Sequence, residues 1–187
     1  MPHTGSLLNR RLHFEFGKNT MSTPAPDELM TKLLATATTY LQVFSTLDPD
    51  VIAPIQSESY YHEFAPASAN LPPPRNREEF AEHIRHLKGV LRSFPVHAKQ
   101  MWPNPALKQV LIWADAETEF HPHVRDNEDA EEWRYRGEYM FLLTMDQSGE
   151  KIERVLEFLD SKGTDRARGL FGRAWKMKGV EWSTWKA

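Results

Sequence analysis

The second half of this 187-residue chain contains four long segments typical of β-strands, separated by short polar connections. Aromatic and aliphatic residues dominate them, as in strands that are at least half buried. Because short connections join neighbours, we expect antiparallel pairing. The last connection, DQSG, predicts a type I turn with Gly149 in the left-handed position, and therefore a hairpin. The predicted strands span residues 96–102, 108–120, 133–145 and 151–160.

The first half is mostly helical in pattern. A helix is predicted from Pro26 to the stop at Asp48, followed by a short second helix through Val51 and Ile52. Residues 58–66 predict a strand, and Asn76 with Glu79 resembles a capping box. The apolar faces of the two main helices are Leu29, Leu33, Leu34, Tyr40, Leu41 and Phe44, and then Phe80, Ile84, Leu87, Leu91 and Phe94 before Pro95.

This order of elements predicts an α+β fold in which the N-terminal helices cover the concave face of a curved antiparallel sheet. Such a sheet encloses a pocket suited to a small molecule. With 40% hydrophobic residues, the chain can bury one core, so we predict a single domain over residues 22–176. Residues 1–21 are expected to be a flexible extension, with a transit peptide as the alternative. Residues 177–187 are expected to form a tail, which carries Trp182 and Trp185, and Thr164–Trp175 predicts a terminal helix.

Composition argues against several classes of function. The net charge is -3 and no basic patch is present, which argues against nucleic acid as a partner. The absence of cysteine excludes disulfides and thiol catalysis. The sequence contains no run of about 18 apolar residues, the length needed to span a membrane, and we expect a cytoplasmic protein.

Glu157 is the most informative residue of the last predicted strand, within VLEFLDS at 155–161. Both faces of this strand are largely apolar, so Glu157 has hydrophobic neighbours whichever way it points. Burial raises the pKa of a carboxyl group toward neutrality, which suits a general acid or base. The alternative is a structural carboxylate paired with Arg154 or Arg136. Asp160 is interpreted as a structural acid at the strand end.

The preceding strand offers partners for this carboxyl. Tyr135, Tyr139, Phe141 and Leu143 share one face, and two phenols could hydrogen-bond a carbonyl or an enolate while the carboxyl moves a proton. The alternative is that the tyrosines are only good strand formers.

Other strand residues are candidate pocket residues. His62 could act as an acid, a base or a hydrogen-bond donor, or could simply pack in the core. His97 and Trp113 are interpreted as pocket wall, and Trp102 as a residue that shapes the pocket mouth.

Two histidine pairs raise the possibility of a metal site. His121 and His123, followed by Glu128, match the first half of a cupin metal signature, while His83 and His86 are one helical turn apart. The second cupin motif is missing and the HPH sequence begins a charged loop, so no metal is predicted.

Four stretches resemble a known family. They are HEFAPAS at 62–68, FAEHIRHL with FPV at 80–96, GEYMFLLTMDQSGEKI at 137–152, and VLEFLDS. They are similar to the SnoaL-like polyketide cyclases and isomerases of the nuclear transport factor two-like superfamily, especially fungal members of secondary-metabolite pathways. The resemblance covers about residues 26–165.

The resemblance implies a cone-shaped α+β barrel with one deep pocket, commonly in a homodimer, working without a metal or an organic cofactor. It makes Glu157 the pocket carboxylate, Tyr139 and Tyr135 the pocket phenols, and His62 the first-strand histidine. Gln56 stands where an arginine is expected, which removes a fixed positive charge. Gly137 stands where asparagine is frequent.

The resulting hypothesis is a cofactor-independent isomerase or cyclase that acts on a polyketide- or terpenoid-like intermediate. Glu157, Tyr139, Tyr135 and His62 are its expected catalytic residues. A dehydratase using the same pocket is one alternative, and a non-catalytic ligand-binding or dimerisation module is the other. The expected substrate contacts are Gln56, His97, Trp113, Phe141 and Trp102.

Overall fold

A computed structural model of the chain describes residues 26–180. The predicted extension at residues 1–21 lies outside the described residues, as do Trp182 and Trp185. The helices are α1 (Pro26–Thr46), α2 (Arg77–Val90) and α3 (Ser161–Met177). The strands are β1 (Gln56–Ala65), β2 (Leu91–Ser93), β3 (Val96–Asn104), β4 (Gln109–Phe120), β5 (Tyr135–Met145) and β6 (Ile152–Leu159).

The strands form one curled sheet in the order β1-β6-β5-β4-β2, with β3 also paired to β4. The predicted antiparallel pairing of the four long strands is confirmed. β1 is different because it runs parallel to β6. The two strands are separated by most of the domain, so no short connection imposes an antiparallel arrangement on them. The sheet is therefore mixed, and the α+β class with helices on the concave face is confirmed.

Helix α1 packs into the hollow of the sheet. Its buried side chains recur at the predicted helical spacing and contact β3 and β4. Asp48 caps a 3-10 turn at Pro49–Val51, which a second turn at Ala53–Ile55 follows, so the predicted short second helix is a pair of 3-10 turns. None of the helices between residues 26 and 180 has the length and apolarity needed to cross a bilayer.

Helix α2 begins as predicted but ends four residues early. Asn76 and Glu79 form the full capping box. The helix stops at Val90 instead of continuing to Phe94, because Leu91–Ser93 forms strand β2 against β4. Leu91 and Phe94 remain buried in this arrangement. The apolar spacing thus indicated burial correctly but not the conformation.

The predicted DQSG turn joins β5 to β6. Gly149 has a φ of 75°, and its amide donates to the carbonyl oxygen of Asp146 at 3.1 Å. The hydroxyl of Thr36 donates to the carbonyl oxygen of Gly149 at 2.8 Å, which ties the turn to α1. The hairpin therefore fixes the position of β6, which carries Glu157.

Candidate active site

A mostly apolar cavity of about 60 Å³ lies between the concave face of the sheet, α2 and α3. The sheet contributes inward-facing side chains from β1, β4, β5 and β6, while the helices contribute the opposite wall. Its polar lining residues are His83, Thr118, Tyr135, Tyr139, Glu157 and Thr164. A few polar groups in an apolar enclosure are characteristic of small-molecule sites.

Glu157 points into this cavity from β6. Alternation along the strand turns Val155, Glu157 and Leu159 inward, and Glu157 is only 6% exposed. Its Oε2 lies 2.9 Å from Nε2 of His62. This hydrogen bond satisfies one oxygen of a carboxyl group that burial would otherwise penalise.

His62 lies behind Glu157, outside the cavity lining. Its ring is fully buried, stacks on Phe80 with centroids 4.6 Å apart, and lies 4.7 Å from the ring of Phe64. Its Nδ1 is 3.1 Å from the Tyr60 hydroxyl. With both ring nitrogens engaged, His62 is placed to orient Glu157 rather than to contact a bound molecule directly.

The predicted shared face of β5 is confirmed, since Tyr135, Tyr139 and Phe141 all turn inward. The Tyr139 hydroxyl donates to that of Tyr135 across 3.5 Å, a long and weak hydrogen bond. Burial raises the pKa of Tyr139 well above its ordinary value and also raises the pKa of Tyr135. Both phenols therefore stay protonated at neutral pH and can donate hydrogen bonds.

Position 137 has no room for a side chain, which explains the glycine there. A Cβ atom at this position would lie 2.2 Å from the Tyr135 hydroxyl oxygen. Asparagine, which is frequent here in the family that the sequence resembles, would therefore displace Tyr135. The glycine allows the Tyr135 ring to fold over its own strand.

His83, Thr118 and Thr164 are polar cavity residues that the sequence did not identify as part of the site, and His83 is the titratable one. It projects from α2, and burial together with the nearby Arg75 holds its pKa well below the ordinary histidine value. The imidazole is therefore uncharged at neutral pH. Its position three residues after Phe80 and four before Leu87 places it on the apolar face of α2, a signal that was available in the sequence.

Three residues predicted to line or shape the pocket lie outside the lining of this cavity. Trp113 is on the outward side of β4, because the cavity side of that strand carries the even-numbered residues. Trp102 is 41% exposed on β3. His97 is exposed and lies 3.9 Å from Asp115 on the outer surface.

Two further predicted substrate contacts are buried but lie outside the cavity lining. Phe141 packs beneath the site, with its ring stacked on that of Tyr139 at 5.8 Å. Gln56 begins β1, and burial raises the pKa of the nearby Tyr60 phenol while Gln56 lowers it in part. It faces a separate polar cleft, so the structure gives it a different location from the predicted one.

The histidine pairs do not converge on a common point. His121 donates from Nε2 to the Lys88 carbonyl oxygen at 3.2 Å and stacks on His123. His86 packs against Trp175. Between residues 26 and 180, no group of three or more His, Asp or Glu side chains could hold a metal ion.

No protein-family model matches the chain. Two curated proteins are similar to the chain in sequence. The chain is 28% identical over 146 residues to the austinoid biosynthesis clusters protein H of Penicillium brasilianum, covering 76% of this chain and 89% of that protein. It is 25% identical over 138 residues to the austinoid biosynthesis cluster protein H of Aspergillus calidoustus, covering 72% and 86%.

Solved structures share the fold. The BvnE pinacolase from Penicillium brevicompactum has a TM-score of 0.64 at 21% identity, covering 75% of this chain and 97% of that chain. An LEH-like epoxide hydrolase of M. tuberculosis has a TM-score of 0.56 at 15% identity, covering 76% and 95%. An NTF2-like protein of unknown function from Burkholderia pseudomallei has a TM-score of 0.57 at 8% identity, covering 73% and 97%.

Proposed function

Because this chain belongs to the SnoaL-like family of fungal secondary metabolism, within the nuclear transport factor two-like superfamily, we propose that it converts a secondary-metabolite intermediate by proton transfer. The observation that carries the proposal is the placement of Glu157. Its carboxyl group faces an apolar cavity, is held by His62 at 2.9 Å, and shares that cavity with two phenols. A base and hydrogen-bond donors in one water-poor space are what an enolisation requires.

Glu157 is the proposed acid and base. Its carboxylate takes a proton from a carbon next to a substrate carbonyl, and the resulting carboxylic acid returns that proton to a different atom. The hydrogen bond from His62 fixes the orientation of the carboxyl, and the apolar neighbours keep water from competing for the proton. The substrate is isomerised or cyclised with its mass unchanged.

Tyr139 and Tyr135 are the proposed stabilisers of the oxyanion. Both remain protonated because burial raises the pKa of each phenol. The Tyr139 hydroxyl is weakly engaged by its 3.5 Å contact, so it can turn toward a substrate oxygen at little cost. His83, uncharged in the facing wall, is a further donor or acceptor within the cavity.

The cavity lining indicates an apolar substrate. Aromatic and aliphatic side chains, among them Phe44, Phe64 and Phe171, surround the polar groups, which suits a polyketide- or terpenoid-like skeleton. Helix α3 supplies Thr164, Ala167 and Phe171 to the wall of this cavity.

A homodimer formed by the outer face of the sheet is part of the proposal. The strand register places Trp113, Met140 and Phe158 in one row across this face, and Trp102, Leu111, Leu142 and Leu156 in the next. Two ion pairs flank these rows and place charges of both signs there: Lys99 with Glu138 and Arg154 with Glu63. An apolar patch with both charges at its rim is self-complementary under a twofold axis.

The test is conversion of probe compounds by the wild-type protein and by Glu157→Gln. Fused-ring monoketones and α-hydroxy ketones are incubated with each protein in deuterated water, and the products are analysed by mass spectrometry. We expect deuterium uptake or rearrangement with the wild type and a loss of at least about 100-fold with the variant. Loss of one water from the product would instead identify a dehydratase.

Glu153→Gln is the matched control, because Glu153 is an exposed glutamate of the same strand. It should convert the probes like the wild type. Equal conversion by Glu157→Gln would remove Glu157 as the base. Thermal stabilisation by the probes without any conversion would support the binding-module alternative.

A further inference from the structure

A row of hydrogen bonds continues from Glu157 away from the cavity. Glu157 Oε2 contacts His62 Nε2 at 2.9 Å, and His62 Nδ1 contacts the Tyr60 hydroxyl at 3.1 Å. Gln56 in turn lies near enough to the Tyr60 phenol to lower its pKa, against the larger rise that burial causes. All four side chains are buried. We call these residues, Gln56, Tyr60, His62 and Glu157, the buried chain.

The strand arrangement explains how these residues meet. Tyr60 and His62 are two positions apart on β1, so their side chains share the inward face. The parallel register pairs His62 with Val155 and Phe64 with Glu157, which puts Glu157 diagonally next to His62. Phe80 stacks on the His62 ring and excludes other conformations of that ring.

The outer end of the buried chain meets a different pocket. Gln56 lines a polar cleft together with Asp50, Glu58, Asn76 and Arg85. This cleft shares no lining residue with the apolar cavity. The buried chain therefore lies between a polar, solvent-facing cleft and the carboxyl group in the cavity.

The groups have the chemistry for proton transfer. An ionised Glu157 only accepts hydrogen bonds, so His62 Nε2 carries the proton, and Nδ1 then accepts from the Tyr60 hydroxyl. Imidazole and phenol can each gain a proton on one side while losing one on the other. Gln56 lines the cleft and lies near the Tyr60 phenol, so its amide is placed to control the access of cleft water to the phenol oxygen.

We infer that Tyr60 and His62 relay protons between Glu157 and water in the polar cleft, so that Glu157 exchanges its proton with solvent without water entering the cavity. In the inward direction, a hydronium ion in the cleft gives a proton to the Tyr60 oxygen and becomes water, Tyr60 gives its hydroxyl proton to Nδ1, and Nε2 gives its proton to Glu157 Oε2. His62 and Tyr60 each gain one proton and lose one, and the reverse shift carries a proton out. The inference rests on the proposed role of Glu157.

The relay has a consequence for a proton-transfer enzyme. A reaction that leaves the carboxyl in the wrong protonation state would stall in a dry cavity. The relay restores the protonation state of Glu157 from the side opposite the cavity, while the reactive intermediate stays protected from water. Tyr60 and Gln56 thereby influence the reaction without touching the substrate.

The test follows the ring protons of His62 in the full chain labelled with ¹⁵N-histidine. Their exchange with water is measured by saturation transfer NMR in the wild type and in Tyr60→Phe, which keeps the ring and removes the hydroxyl. We expect exchange to slow by about tenfold, the scale of one lost buried hydrogen bond. Tyr61→Phe is the matched control, because Tyr61 is the exposed neighbour on the opposite face of β1 and should leave the rate unchanged.

Gln56→Ala supplies a second measurement with the opposite sign. Shortening this side chain opens the cleft end, so His62 exchange should become faster. Equal rates in the wild type, Tyr60→Phe and Gln56→Ala would overturn the relay. Because no substrate is needed, the result is separate from the Glu157→Gln conversion test: slowed exchange with an active Glu157→Gln would keep the relay and remove the proposed catalytic role.

Discussion

The two faces of one sheet differ in chemistry although they alternate residue by residue along the same strands. On the inner face, Glu157 and Tyr139 are buried and hydrogen-bonded around a small cavity. Their immediate neighbours Phe158 and Met140 point outward and form an apolar row. The inner face places polar groups in an apolar environment, whereas the outer face places apolar groups at the surface. The buried polar groups are the basis of the proposed activity, and the exposed apolar row is the basis of the proposed homodimer.

The largest expected difference between the faces is in stability. Phe141→Ala removes a ring that is 1% exposed and packed against Tyr40, Phe44 and Tyr139, so it should reduce the free energy of unfolding by about 3–5 kcal/mol. The same substitution at Phe158, which is 48% exposed, should cost about 1 kcal/mol or less in the monomer. Urea denaturation at low protein concentration measures both. Equal losses would show that the outer face is as tightly packed as the inner one.

A second prediction concerns the outer face alone. Phe158→Glu places a charge in the middle of the apolar row, so the dissociation constant of the proposed dimer should rise by at least about tenfold. Sedimentation equilibrium over a range of concentrations measures this change. Leu107→Glu is the control, because Leu107 is an exposed apolar residue outside the two rows. A wild-type protein that is monomeric at every concentration would contradict the dimer.

The comparison also shows which features the sequence could predict. The inward set of β5 follows from alternation because Tyr135, Tyr139 and Phe141 differ clearly from Arg136 and Glu138 between them. On β4 both faces are apolar in the middle, with Ile112 on one side and Leu111 and Trp113 on the other. Alternation therefore could not say which face meets the helices, and Trp113 was assigned to the wrong one.

Long-range pairing limited the prediction of the site in the same way. The contact between His62 and Glu157 spans 95 positions and depends on β1 running parallel to β6, which no local pattern encodes. The Gln56–Tyr60–His62 arrangement became visible only with that register. By contrast, the capping box at Asn76 and the turn at Gly149 are local features, and both were predicted correctly.

The smallest predicted effect concerns the pH dependence of stability and compares His83 in the cavity with His97 on the outer face. Burial and Arg75 lower the pKa of His83 in the folded chain, so below about pH 6.5 the unfolded chain binds a proton there that the folded chain rejects. Stability should therefore fall as pH falls through that value, until the folded-state pKa is reached. In His83→Gln the slope of the free energy of unfolding against pH should be shallower by up to about 1.4 kcal/mol per pH unit.

Urea denaturation from pH 8 to pH 5 measures this slope. At pH 8 the imidazole is neutral in both states, so that end of the range gives the effect of the substitution without titration. His97→Gln is the control for the loss of a histidine, because the His97 side chain is exposed on the outer face. If His83→Gln and the wild type have parallel profiles, the imidazole of His83 must be hydrated in the folded state. The cavity wall formed by α2 would then be open to water, and the contrast between a dry inner face and a solvent-exposed outer face would fail at that wall.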